Sequence, residues 1–172
     1  MIRALVIAFA LMLAQPSTAQ AVTGERVVGY VSDCAAALNT GELGPFDDLN
    51  VETEVTSETT IIRGWRSDVH PGLVVSLMRR TSETGRLGMC DVAFSPADDT
   101  GLMQQVAGAA REFLDTLRSN PNSAIDPSSM GNAIMTCIGG QAVSVFIDEG
   151  NLESGFNAQV ALVSRAKMKC DG

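Results

Sequence analysis

The chain has 172 residues and a formal net charge of −8, with twenty acidic residues against twelve basic ones. That length suits one domain with a real core. An acidic surface repels phosphate backbones and anionic headgroups, which excludes nucleic acid and membrane surfaces as expected partners.

Residues 1–21 read as a secretory signal. Arg3 is the positive end, Ala4–Ala14 the apolar run, Gln15-Pro16-Ser17-Thr18 the break and Ala19-Gln20-Ala21 a small-x-small cleavage site. The apolar run falls well short of the roughly 20 residues that span a bilayer, so no membrane insertion is expected once the signal is removed. The expected location is periplasmic or secreted, with a single domain over 22–172.

Four cysteines follow: Cys34, Cys90, Cys137 and Cys170. An even count in an exported chain points to two disulfides. No Cys-x-x-Cys pair is present, and the spacings lack the short paired gaps of a zinc site.

In chain order, Val27, Tyr30, Val31, Cys34, Ala35 and Leu38 form a helical stripe over Glu25–Asn39, with Thr23 as its cap and Asn39-Thr40-Gly41 as its stop. Tyr30 is expected to pack in the core with its hydroxyl at the edge. Leu49–Val55 and Thr59–Trp65 read as strands that can form a hairpin. The loop Ser67–Gly72 leads to two more strands, Leu73–Arg79 and Leu87–Phe94. A second helix starts after Ser95–Thr100 and carries Leu102, Val106, Ala109, Ala110, Phe113, Leu114 and Leu117 on one face through Arg118. Gly108 within it is expected to permit a close approach to the sheet. The polar stretch Asn122–Gly131 reads as a surface loop.

Ala133–Ile138 and Gln141–Ile147 are strands joined by Gly139-Gly140, a link suited to a tight hairpin turn. Phe156–Leu162 alternates with period two and completes a meander. If that meander runs up, down and up, Cys137 and Cys170 share one end of the sheet, so the expected bridges are Cys137–Cys170 and Cys34–Cys90. The whole is an α+β fold: an antiparallel sheet of about six or seven strands with two helices packed on one face.

Chemistry is sparse. His70 is the only histidine, and the Gly-x-Ser-x-Gly, His-Glu-x-x-His and phosphate-loop patterns are missing from the sequence. The acidic pairs Asp47-Asp48, Asp98-Asp99 and Asp148-Glu149 do not match a calcium loop, and turns or helix starts account for them. No metal and no cofactor are expected. Arg63, Arg66, Arg79, Arg80 and Arg86 crowd into one part of an acidic chain, with Trp65 and His70 among them. Guanidinium groups offer a planar fork to anions, which makes Arg63, Trp65, Arg66 and His70 the expected ligand contacts. Cross-strand pairing with Glu52, Glu54, Glu58 and Glu83 is the competing account of the arginines.

The expected function is an exported, non-enzymatic binding module stabilised by disulfides, whose partner is another envelope protein or a small anionic ligand. An envelope hydrolase using His70 with a distant Asp or Ser, or a structural subunit of an envelope assembly, are the alternatives.

Overall fold

The architecture comes from a computed structural model, which describes residues 22–83, 85–95, 99–127, 133–148, 155–163 and 168–170. The expected leader over 1–21, Asp98, the loop segment 128–131 and the acidic turn at 149–151 lie outside these residues.

Two helices and eight strands follow one another as α1 (Gly24–Thr40), β1 (Asn50–Thr56), β2 (Thr60–Arg66), β3 (Leu73–Ser82), β4 (Gly85–Phe94), α2 (Thr100–Ser119), β5 (Ala124–Ile125), β6 (Ala133–Ile138), β7 (Gln141–Asp148) and β8 (Phe156–Leu162). The strands form one sheet in the order β1-β2-β3-β4-β8-β7-β6-β5, antiparallel throughout. This is the expected α+β fold with one strand more. The addition, β5, falls in the stretch read as a loop. Its two residues pair with Ile134 and Met135, too short a run to produce a readable period.

α1 begins where Thr23 accepts the Arg26 N–H and ends where Gly41, at φ 80°, donates its N–H to the Ala37 carbonyl. Its whole predicted stripe is buried. The helix lies across β4 and β8, the two strands that join the halves of the sheet. Gly88 leaves room for it: an added Cβ there would stand 2.7 Å from Leu38.

α2 packs chiefly on α1 and reaches the sheet mainly at β6 and β8. The close approach expected at Gly108 occurs elsewhere. A Cβ on Gly108 would meet nothing, whereas one on Gly24 would collide with the Gln105 backbone. For α2 it is the crossing with α1, not a contact with the sheet, that demands a missing side chain.

The sheet has an inner face under the helices and an outer face. Trp65, Val75, Val92 and Ala158, opposite one another across β2, β3, β4 and β8, are buried on the inner face. The β6–β7 hairpin turn is locally encoded: Gly139 and Gly140 both take positive φ (57° and 73°), as a type I′ two-residue turn between twisted strands requires. Among the described residues no helix is long and apolar enough to cross a membrane.

Both expected disulfides form. Cys34–Cys90 ties α1 to β4 with its Cα atoms 5.6 Å apart, and Cys137–Cys170 ties the segment after β8 to β6 at 5.7 Å. The first pair has no exposed surface, while Cys137 and Cys170 are half-buried. Mild reduction should therefore open Cys137–Cys170 first; alkylation with peptide mapping checks this, and earlier labelling of Cys34 and Cys90 would contradict it. Replacing Cys34 and Cys90 together by alanine should cost up to about 4 kcal/mol of stability through the freed loop entropy, read from denaturant unfolding.

Candidate functional site

Strand parity distributes the arginine-rich segment between two faces. Arg63 and Trp65 are two residues apart and both point inward. Trp65 is only 2% exposed and packs on Phe46 with ring centroids 4.5 Å apart. Arg63 lies 5.9 Å from the Trp65 ring and forms an ion pair with Glu54, directly opposite on β1. Arg66 has the other parity. It bonds Glu52 at 2.5 Å and the Pro71 carbonyl at 2.7 Å, which brings it to the loop that carries His70.

The His70 ring stands edge-on to Phe94 at 6.3 Å, and its backbone N–H bonds the Ser67 hydroxyl. Among the described residues the imidazole itself has no hydrogen-bond partner, carboxylates included. Of the four expected ligand contacts, Arg63 and Trp65 thus sit together inside the fold, and Arg66 approaches the His70 loop from the opposite face. Trp65, being buried, has almost no surface to offer a ligand.

The remaining arginines also divide by parity. Arg79 and Arg86 turn inward to the end of α1: the Arg79 guanidinium is seated against Gly41, and Arg86 donates to the Asn39 carbonyl at 3.0 Å. α1 carries no basic residue in its own last turn, so β3 and β4 bring positive charge to its negative end. Arg80 turns outward and is exposed.

The outer face of β1–β4 shows a different character. Val55, Ile62, Met78 and Met89 lie opposite one another from strand to strand. Val55 is 54% exposed, Ile62 39% and Met78 42%, with Leu87 on the same face at 65%. Arg80 pairs across the strands with Leu87 and stands beside this apolar row. Farther along the face Gln159 bonds Asp91 at 2.8 Å, and the surface turns polar. Signs of the row were in the sequence as apolar residues on the second face of the strands, but register alone lines them up.

A cleft of about 400 Å³ between the helices is lined by Thr23, Gly24, Glu25, Gln105, Gly108 and Glu112. Among the described residues no group of three or more His, Cys, Asp or Glu side chains gathers in metal-binding range.

A polar latch that sequence reading missed holds the chain after α1. Arg26 grips Asp48 through two bonds of 2.9 Å, bonds Asp33 at 2.7 Å and the Pro45 carbonyl at 2.9 Å, and stacks 4.0 Å from the Tyr30 ring. The Tyr30 hydroxyl donates to Asp48 at 2.8 Å. Helical spacing of Arg26, Tyr30 and Asp33 was its only sequence signal. Burial alone would raise the Asp48 carboxyl, but the hydrogen bonds from Arg26 and Tyr30 outweigh it and hold the group below its ordinary value of 3.8. Burial, then the bond to Asp48, pushes the Tyr30 phenol well above its usual range.

A depressed folded-state value stabilises the fold above the unfolded value and is lost as pH falls through the folded one. Asp48→Asn should therefore melt lower than the parent at pH 7. That gap should close as pH drops below about 4, as the unfolded carboxyl and then the folded one take up protons. Melting curves of both proteins across this range check it, and a gap that stays constant would remove the latch as its cause.

Comparison with protein-family models, with curated proteins and with solved structures finds no match for this chain.

Proposed function

We propose that this protein is an exported, non-enzymatic binding module that docks another envelope protein on the outer face of β1–β4. The observation that carries the reading is the exposed cross-strand row Val55, Ile62 and Met78, with Leu87 beside it. Four large apolar side chains gathered on one sheet face differ from the scattered apolar residues normal on a protein surface. Methionine adapts its shape to whatever packs on it. Arg80 beside Leu87 adds a cation at the edge of the row, so the complementary partner presents apolar side chains with a carboxylate near them.

Export is the second part of the proposal. Two disulfides support it, because such bonds persist in oxidising compartments. The leader-like grammar of residues 1–21 supports it as well. N-terminal sequencing of the protein recovered from its native host should begin Val22-Thr23, and a chain beginning at Met1 would overturn export.

Docking is tested with immobilised wild type and an Ile62→Asp/Leu87→Asp double variant against periplasmic extract. The wild type should retain a stoichiometric partner that the variant loses. The variant's melting temperature should stay within a few degrees, since both side chains are exposed. Equal retention by the two proteins would remove the outer face as the docking surface.

A further inference from the structure

A guanidinium carries five N–H donors, and donors withdrawn from water need acceptors. Arg63, Arg79 and Arg86 occupy successive diagonal positions on the inner face: Arg63 faces Leu77, Arg79 faces both Ile61 and Gly88, and Arg86 faces Thr81. Diagonal neighbours on adjacent strands are within reach of long side chains. The three arginines differ in how their donors are used.

Arg86 has the Asn39 carbonyl. Arg63 uses one terminal nitrogen on Glu54, yet its Nε is buried with no acceptor. Arg79 is half-buried and has no acceptor among the described residues. Its guanidinium lies so close to Gly41 that a Cβ there would collide with it, and the positive φ of Gly41 also favours glycine. Glu42, the acidic residue next to this seat, is exposed and forms no ion pair with it. The segment after α1 thus makes room for a guanidinium and supplies it with no anion.

We propose that Arg79 and the unused Nε edge of Arg63 hold a small oxyanion, of the carboxylate or phosphate class, beside the Gly41 turn. Arginine's fork is built for such groups, and charge-assisted bonds to them are stronger than neutral ones. This site lies on the inner face and is independent of docking on the outer one. It also replaces the grouping expected from sequence. Arg63 is kept, but its companion is Arg79 rather than Arg66 or His70.

The test is thermal unfolding of the disulfide-bonded chain in phosphate, acetate and chloride at equal ionic strength. One of the two oxyanions should raise the midpoint by about 3–6 °C over chloride when present at roughly ten times its Kd. A response to phosphate assigns the tetrahedral class and a response to acetate the carboxylate class. Arg79→Gln should abolish the rise. Arg80→Gln, which removes the same charge from the outer face, should keep it. Equal midpoints in all three anions, or a rise that survives Arg79→Gln, would overturn the site. Should Arg79→Gln fail to fold, arginine Nε–H signals of the wild type followed through a phosphate and an acetate titration decide the matter. Saturable movement of Arg63 and Arg79 with Arg80 still is expected, and stationary Arg63 and Arg79 signals would reject the proposal.

Discussion

Everything in this fold hangs on the seam between β4 and β8. The first four strands form one meander and the last four another, and only the β4–β8 pairing joins them into a single sheet. That pairing brings Cys90 opposite Val160, seventy positions along the chain, so it closes a long loop that local contacts do not pre-form. α1 lies directly over the seam, and the Cys34–Cys90 bridge fixes it there. Gly88 lets Leu38 and Leu162 come down onto the strands at the same place. The bridge, the glycine and the helix stripe are three solutions to one problem, that of holding two meanders edge to edge.

With α1 fixed over the seam, the ends of the helix determine the rest of the inner face. Its N-terminal half carries Arg26 and Tyr30, which reach down to Asp48 and draw the following segment back along the helix. That places Phe46, at the end of a 3-10 turn over Gly44–Phe46, against Trp65, so this short segment covers the inner side of β2. The C-terminal end meets Arg79 and Arg86 from the sheet. A helix with no basic residue in its last turn thus finds its counter-charge on the surface beneath it.

The sequence made part of the sheet legible because burial alternates with period two in β3, β4 and β8. Pairing of the cysteines was legible for a related reason: a meander brings alternate strand ends together, so Cys137 and Cys170 had to share an end. Three things were not legible. β5 is two residues long, below the length at which a period exists. Packing of α2 on α1 depends on Gly24, a residue whose role becomes visible only when Gln105 is seen against it. The arginines were grouped by their nearness in sequence, although adjacent strand positions face opposite ways. Parity measured from Trp65 would have separated Arg63 from Arg66, and pairing register was needed to set Arg79 diagonal to Arg63. Site residues on strands are legible only once the register is fixed.

Both edges of the sheet are built against strand addition. β1 is exposed along its whole length and presents unpaired backbone groups, the usual template for strand addition. Its register slips between Val51 and Thr53, and a bulge there bends the strand away from regular pairing. Glu52 and Glu54 add charge, each held in place by an arginine from β2. A second copy pairing antiparallel about Thr53 would set Glu52 against Glu54, and like charges directly opposite are unfavourable. At the other rim β5 is too short to template much. Edges defended in this way leave the apolar row on the outer face as the undefended surface.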